Sequence, residues 1–427
     1  MKRYVIIGNG VAAAGCIEGI RSTDTEGEIT VISAEKHEVY CRPLISYYLE
    51  GKTDLTRMNY RGEDFYTKNE VRVIYGESAT AINPDEHTVT VSDGSVLPYD
   101  AVCVAAGSSP FVPPMEGLDT VEKKFSFLTL DDALALEQAI TPESRVLIVG
   151  AGLIGLKCAE GIQERVASIT VCDLANRVLS SILDDECAAL MQRKLEEHGI
   201  SFLLGDSVAK FERVAGVEGS AEGEGAFFGS YVAHMKSGAE APFDVLVLAV
   251  GVRANIGLVK AIGGNVNRGI VVDDRMATSI PGIYAAGDCA EGYDVTIGAN
   301  RVLAIFPNAY MQGHAAGVNM AGGEELFDCG MPMNSIGFFG LHAMTAGAYE
   351  GECYEETTPE SIKRLYVKDD LLKGFLLIGC HERAGIYTSL IRNRTPLSEI
   401  DFELMKQGAT TAAFSSENRR KKFGGVV

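Results

Sequence analysis

The sequence predicts an α/β protein with two three-layer domains of parallel sheet and helices, followed by a smaller α+β C-terminal domain. Two observations predict this fold. A glycine-punctuated strand-to-helix turn occurs twice, at residues 8–13 and 150–155, and short strand-like runs dominate after residue 329. The chain has 427 residues, 46% of them hydrophobic, which is enough for two or three domains of about 150 residues each.

The first repeat opens the chain with YVIIGNGVAAAG, in which a strand precedes Gly8 and Gly10 and a helix follows from Ala13. A second strand, EITVIS, is expected to end at Glu35. In such a turn the first glycine permits the tight bend, the second admits a pyrophosphate, and the third position packs helix on strand. The helix N-terminus offers N–H groups to phosphates, and the acid accepts hydrogen bonds from ribose hydroxyls.

The second repeat has the same parts. RVLIVGAGLIG supplies Gly150, Gly152 and Gly155, and the next strand, SITVCD, ends at Asp173. Because each turn has a strand before it, a helix after it and an acid about 25 residues on, the sequence predicts two Rossmann-like domains that each bind a dinucleotide. The alternative for each is a glycine-rich turn without a ligand. A nicotinamide in one site and a flavin in the other would let one chain take a hydride and pass it on.

The later segments complete both domains and begin a third. Each repeat leads to a strand that ends in glycine, and a buried strand followed by a helical run then precedes a region of short strands. These segments are residues 99–110, 243–255, 278–292, 302–322 and the stretch from 329 onward. The loop 216–229 is predicted to be a solvated hairpin excursion, and the basic tail 418–427 is predicted to fray.

Charge and cysteine content exclude several classes of protein. With 38 basic and 58 acidic residues the net charge is −20, which disfavours nucleic acid and anionic membranes as partners. No apolar run reaches the roughly 18 residues of a membrane span. The ten cysteines form no CxxC pair, so neither a zinc ribbon nor an iron–sulfur site is predicted, and no other metal site is expected. Buried, unpaired thiols are typical of a reducing cytoplasm.

Taken in order, these motifs resemble the FAD-dependent pyridine nucleotide–disulfide oxidoreductase superfamily. The series GxGxxA, AAGSSP, GxGxxG, AVGVRAN and TSIPGIYAAGDCAE carries the resemblance over about the first 325 residues. Two shorter segments, EVYCRPLISYYLEG and GIYTSLIRNRTPL, resemble the NADH:rubredoxin reductases and the flavin module of NADH-dependent nitrite reductase large subunits.

The resemblance implies a domain plan and an activity. It implies an FAD domain formed by residues 1–115 and 256–328, an NAD domain at 116–255 and a C-terminal interface domain at 329–427. The implied activity is a cytoplasmic FAD-dependent NADH:acceptor oxidoreductase, which passes electrons to a redox protein such as rubredoxin or to a partner reductase subunit. A homo-oligomer is compatible with such a C-terminal domain, and the oligomeric state is left open.

The resemblance also implies the site residues. Those expected to line FAD are Gly8, Gly10, Ala13, Glu35, Arg42, Pro43, Ala106, Gly107 and Asp288. Those expected to hold NADH are Gly150, Gly152, Gly155, Asp173 and Gly251. Asp288 is expected to accept hydrogen bonds from the ribityl chain, and a helix that starts near residues 305–308 is expected to direct its positive end at the flavin. Glu160 resembles a family glutamate at the flavin–nicotinamide contact, and an ordinary helix-surface acid is the alternative.

Cys41 is the candidate for a thiol-dependent reaction. It has no partner at the C-x4-C position, which is Ser46, and alignment on SYYLEG places the single family cysteine at Pro43. We therefore expect a packed, inert thiol, although Arg42 is expected to lower its pKa. A cysteine-dependent CoA-disulfide reductase or NADH oxidase remains the alternative, and a redox-sensing flavoprotein that binds partners is a third. Tyr47 occupies the position where the subgroup often has a lysine.

Overall fold

A computed structural model describes residues 1–214 and 230–415. The loop 216–229 and the tail 418–427, for which the sequence predicts a hairpin excursion and fraying, lie outside the described residues. Elsewhere the predicted strands and helices are present, and the two strand-to-helix turns occur at the predicted glycines.

The helices and strands of residues 1–115 form the first repeat. They are β1 (Arg3–Ile7), α1 (Val11–Thr23), β2 (Glu28–Ser33), α2 (Ile45–Leu49), α3 (Phe65–Lys68), β3 (Val71–Tyr75), β4 (Ala79–Asn83), β5 (Thr88–Val91), β6 (Val96–Pro98), β7 (Ala101–Val104) and β8 (Ser108–Pro110).

The second repeat lies within residues 116–255. Its elements are β9 (Lys124–Phe125), α4 (Leu130–Ala139), β10 (Arg145–Val149), α5 (Leu153–Ile162), β11 (Ser168–Asp173), α6 (Asp185–Glu196), β12 (Ile200–Leu204), β13 (Val208–Arg213), β14 (Tyr231–Met235), β15 (Glu240–Phe243), β16 (Val245–Leu248) and β17 (Val252–Ala254).

Residues 256–415 return to the first repeat and then form the C-terminal region. The elements are α7 (Gly257–Ala261), β18 (Ile270–Val271), β19 (Ile283–Ala285), β20 (Ala290–Asp294), β21 (Ala299–Val302), α8 (Phe306–Ala321), β22 (Met333–Phe338), β23 (Leu341–Gly347), β24 (Glu352–Thr357), β25 (Ile362–Lys368), β26 (Leu371–Ile378), α9 (Ala384–Arg392) and α10 (Phe402–Gln407).

The two repeats share one spatial strand order, although the edge strand β19 comes from later in the chain and the edge strand β9 from before its own glycine turn. One parallel sheet has the order β19-β7-β1-β2-β3 and the other the order β12-β11-β10-β16-β9. An antiparallel three-stranded meander separates β3 from β7 in the first repeat (β4-β5-β6) and β12 from β16 in the second (β13-β14-β15). The central strands β1 and β10 are buried, as expected for parallel sheets covered on both faces. The predicted pair of Rossmann-like domains is confirmed.

The chain passes between the two sheets at a short antiparallel ribbon. Strand β8 pairs with β17, with Ser108 opposite Ala254, and the Asn255 side chain donates to the Ala106 carbonyl at 2.8 Å. Because β19 comes from residues beyond this ribbon, the first sheet is completed by the later segment. The ribbon lies shortly before the predicted divisions 115/116 and 255/256, which stay predictions.

Helix α8 lies directly against α1, and glycines on both helices allow this close contact. A Cβ on Gly15 would stand 2.3 Å from the Tyr310 carbonyl oxygen, and one on Gly313 would stand 1.9 Å from that of Ala12. Backbones can approach this closely only without side chains between them. The start of α8 is thereby held near the first glycine turn.

The C-terminal region is α+β, as predicted. An antiparallel sheet of order β22-β23-β26-β25-β24 packs one face on α9, where Phe375 and Tyr387 are buried. Its other face contributes Phe338, Leu376 and Ile378 to the core of the second repeat. This shared core fixes the C-terminal sheet beside α5.

Candidate functional site

The two glycines of the first turn differ in what surrounds them. Gly8 has φ +109°, and a Cβ there would stand 2.1 Å from the Ala105 carbonyl oxygen. Gly10 precedes α1 with an extended backbone, and a Cβ there would meet no atom within 4 Å in the described part of the chain. Ala13 is fully buried in the helix. Gly8 is therefore required by the fold, whereas Gly10 borders space that a ligand can enter.

The second turn repeats this division. Gly150 has φ +118°, and a Cβ there would stand 2.3 Å from the Ala249 carbonyl oxygen. A Cβ on Gly155 would stand 2.0 Å from the Gly150 carbonyl oxygen, which is the expected close packing of helix on strand. Gly152 meets no described atom within 4 Å. Gly107 and Gly251, with positive φ, are likewise open.

The two predicted acids occupy similar places but have different partners. Glu35 lies two residues beyond the end of β2 at Ser33, so the expectation that the strand reaches Glu35 is wrong; the Ser33 hydroxyl donates to the Glu35 carbonyl and forms a turn. The Glu35 carboxylate accepts from Tyr40 and Arg42 at 2.7 and 2.6 Å. Asp173 accepts from the N–H groups of Ala151 and Ala175 at 2.6 and 2.7 Å. A carboxylate has about four acceptor sites, so each acid can still accept from a ribose.

Arg42 connects the first repeat to the segment that enters α4. Its guanidinium donates to Glu35 and, at 2.8 Å, to the Leu128 carbonyl oxygen. Pro43 follows within a 3-10 helix over Arg42–Leu44, and its fixed φ suits that position. These bonds commit the guanidinium to Glu35 and the Leu128 carbonyl oxygen.

Asp288 lies on a 3-10 turn, Gly287–Cys289, immediately after the buried β19. Burial raises its pKa, although the Ser108 hydroxyl, 3.3 Å from the carboxylate, acts in the opposite direction. Ala106 and Gly107 precede Ser108 in the chain, so the site brings the AAGSSP and GDC motifs together. A half-buried carboxyl group beside an open glycine fits a polar ligand.

Two amide side chains on α8 belong to this region, and the sequence reasoning missed them. Gln312 accepts from the Gly287 N–H at 2.8 Å, while its Nε2 is buried without a partner among the described residues. Asn308 donates to the Met331 carbonyl, and its Oδ1 is likewise without a described partner. Helix α8 begins at Phe306, as expected. The available signal was the i, i+4 spacing of the two amides, which places them on one face of the helix.

Glu160 is buried, with 8% exposure, so the alternative of a helix-surface acid is wrong. It accepts from the Phe339 N–H at 2.8 Å and pairs with Lys157, which donates to the Gly337 carbonyl at 3.3 Å. The Lys157 ammonium also lies 4.6 Å from the centre of the Tyr47 ring. Lys157 therefore joins α5, α2 and the end of β22. The sequence reasoning missed it, and a contact of Glu160 with nicotinamide stays a prediction.

Cys41 has the surroundings of an unreactive thiol. It is half-buried, and burial raises its pKa. The expectation that Arg42 lowers this pKa is wrong, because the guanidinium is bound by Glu35 and Leu128. All ten cysteines are free.

These features fit two dinucleotides. Each turn has a glycine that opens on free space, a helix N-terminus and an acid with spare acceptor capacity. Helix α8 adds two buried amide atoms, Gln312 Nε2 and Asn308 Oδ1, that have no partner among the described residues. The model of the pyridine nucleotide-disulphide oxidoreductases matches residues 2–313. The chain belongs to this family. As a member, this pyridine nucleotide-disulphide oxidoreductase is an NAD(P)H-dependent flavin enzyme whose cofactors are FAD and NADH, as predicted.

Similar proteins extend beyond the family segment. The chain is 30% identical over 407 residues to the NADH-dependent phenylglyoxylate dehydrogenase subunit epsilon of Aromatoleum evansii, with 93% of each chain covered. It is also 30% identical to the assimilatory nitrate reductase electron transfer subunit of Bacillus subtilis, covering 92% of this chain and 50% of that protein. The putidaredoxin reductase in its covalent complex with putidaredoxin shares the fold, with a TM-score of 0.85 and 24% identity over 96% of this chain and 99% of that one.

No helix within residues 1–214 or 230–415 has both the length and the apolar character needed to span a bilayer.

Proposed function

We propose that this protein oxidises NADH and passes the electrons through FAD to a redox protein or a partner reductase subunit. The observation that carries the proposal is the pair of open glycines, Gly10 and Gly152, at equivalent places in two repeats of one chain. The names of the two relatives describe subunits, one NADH-dependent and one of electron transfer, which supports a partner as acceptor.

The proposed FAD site contains the first glycine turn and the residues gathered around Asp288. They are Gly8, Gly10, Ala13, Glu35, Arg42, Pro43, Ala106, Gly107 and Asp288. In this proposal Asp288 accepts hydrogen bonds from the ribityl hydroxyls of FAD. The N-terminus of α8 places its positive end beside the negative charge that develops on the flavin when it is reduced. When bound, FAD supplies the exchange between two-electron and one-electron chemistry.

The proposed NADH site contains the second turn, with Gly150, Gly152, Gly155, Asp173 and Gly251. Asp173 holds the turn through the Ala151 N–H and accepts from the adenosine ribose. The Lys157–Glu160 pair fixes α5 against α2 and the C-terminal sheet, so the two sites keep one mutual orientation.

The proposal is tested on the purified protein. We expect a yellow protein with about one FAD per chain, because the proposal assigns one of the two turns to FAD and the other to NADH. NADH should bleach the flavin without oxygen, and added rubredoxin or the neutral quinone menadione should restore its colour. A colourless protein that FAD cannot reconstitute contradicts the proposal. A flavin that NADH reduces but no carrier reoxidises favours the redox-sensing alternative.

NADH is expected to be preferred to NADPH. The Asp173 carboxylate repels a 2′-phosphate, and the nearest following cation, Arg177, is already bound by Leu183, Ser180 and Asp185. Stopped-flow flavin reduction should give an efficiency with NADH at least about tenfold higher, which corresponds to about 1.4 kcal/mol. Asp173→Ser should lower the ratio of NADH efficiency to NADPH efficiency. Equal efficiency with the two nucleotides in the parent protein would contradict the role of Asp173.

Cys41→Ser is expected to retain most of the NADH:acceptor rate. Serine preserves size but cannot form a sulfenate or a mixed disulfide, and the raised thiol pKa already disfavours a thiolate nucleophile. Arg42→Ala should lose more, because it removes the donor to the Leu128 carbonyl and one of the two donors to Glu35. Steady-state rates with menadione measure both. A Cys41→Ser enzyme that reduces its flavin but does not turn over would favour the cysteine-dependent alternative.

A further inference from the structure

An open cleft of about 420 Å³ lies between the β20–β21 hairpin and the C-terminal region, apart from both glycine turns. The turn that joins β20 to β21, residues 295–298, forms one wall. Leu371 and Lys373 of β26, together with Arg394 after α9, form the other. Nothing in the proposed chemistry of the two nucleotides uses this cleft.

The cleft is positively charged within a chain of net charge −20. Arg394 donates to the Tyr293 hydroxyl and the Val295 carbonyl at 3.2 Å each, so its guanidinium is held in place. Neither Arg394 nor Lys373 pairs with a carboxylate within residues 1–214 and 230–415. Glu350 also lines the cleft, but it pairs with Lys368 at 3.2 Å. The lining therefore keeps a surplus of positive charge.

An apolar side chain stands beside these cations. Ile297, at the tip of the hairpin, is 47% exposed. A large apolar group surrounded by charge is typical of protein interfaces, where apolar contact supplies affinity and charge supplies orientation. A small anion alone would leave Ile297 in water, so a protein with carboxylates around an apolar spot fits the cleft better.

The hairpin also connects the cleft to the proposed FAD site. Strand β20 follows directly from the turn that bears Asp288, and its five residues span about 17 Å. A protein held at the hairpin tip would therefore lie one short strand from that turn.

We propose that this cleft is the docking site for an acidic electron-carrier protein, with carboxylates on Lys373 and Arg394 and an apolar contact on Ile297. The identity of the partner as an electron carrier rests on the proposed function, whereas the location and charge of the surface do not.

The test uses the full-length holoprotein and an acidic rubredoxin as the probe. Lys373→Glu is the main variant and Lys373→Gln the milder one, since the Lys373 side chain makes no hydrogen bond with a described residue. The matched control is Lys236→Glu, an exposed lysine of the second repeat that changes net charge equally. Rubredoxin binding is measured by calorimetry at low and high ionic strength, and NADH-dependent reduction of rubredoxin and menadione is measured in parallel.

Lys373→Glu should weaken rubredoxin binding by about tenfold or more at low ionic strength, with a smaller loss in Lys373→Gln. High salt should reduce the difference, while menadione reduction stays at the parent rate. Unchanged binding in Lys373→Glu, an equal loss in Lys236→Glu, or no rubredoxin binding by the parent overturns the docking site. A parent protein that does not reduce menadione with NADH counts against the proposed function alone, because the measurement of rubredoxin binding does not depend on turnover.

Discussion

Gly10→Val is expected to give a folded but colourless protein, whereas Gly152→Val stays yellow and resists reduction by NADH. Neither glycine is needed by the backbone, since both have ordinary extended angles, and a Cβ at either position meets no described atom within 4 Å. A ligand that approaches the main chain would collide with a valine side chain at either position. The two variants therefore assign one cofactor to each repeat.

The measurements are FAD content by absorbance and flavin reduction by NADH in stopped flow. Gly152→Val should raise the NADH concentration for half-maximal reduction by about a hundredfold, or about 2.7 kcal/mol. Gly385→Val is the control, because that glycine of α9 also borders open space but lies in the C-terminal region. If Gly10→Val retains FAD, or if Gly152→Val loses it while Gly10→Val does not, the assignment of the turns is wrong.

Arg364→Met is expected to destabilise the protein by about 2–3 kcal/mol. Arg364, on β25, is 8% exposed and pairs with Asp184 and Glu186 of the second repeat and with Glu355 of β24. Methionine preserves the stem but leaves three carboxylates without their cation. The figure lies below that for a fully buried pair, because all three acids reach water.

Thermal unfolding should show a Tm lower by several degrees. Arg213→Met is the control, since its pair with Glu122 is exposed on both sides and contributes little. An equal loss of Tm in both variants, or none in Arg364→Met, would show that the cluster does not hold the C-terminal sheet to the second repeat.

The cluster of Arg364 and its three carboxylates also makes the stability of the protein depend on pH. Burial opposes the Asp184 charge, but the Cys187 N–H and Arg364 outweigh it and hold the pKa of Asp184 below its usual range. A lowered carboxyl pKa stabilises the fold at neutral pH, and this contribution is lost as pH falls through the folded value. The Tm difference between parent and Arg364→Met should therefore shrink below about pH 4.

The sequence alone determined the two glycine turns, their strands and helices, and the cofactors they suit. These features are local: a glycine with positive φ, such as Gly8 or Gly150, and the strand and helix beside it are encoded within a few residues. The order of the later motifs was enough to identify the family. The acid Asp173 was placed correctly for the same reason, because it ends the strand that follows its own turn.

Only the tertiary structure decided which way the charged side chains turn. The buried Glu160 carboxylate accepts from the Phe339 N–H, 179 residues away in the chain, and the Arg42 guanidinium donates to the Leu128 carbonyl, 86 residues away. Likewise, Lys157 and Arg364 show their roles only where separate segments meet. Such contacts depend on the packing of whole sheets against one another, and no local pattern of residues specifies that packing.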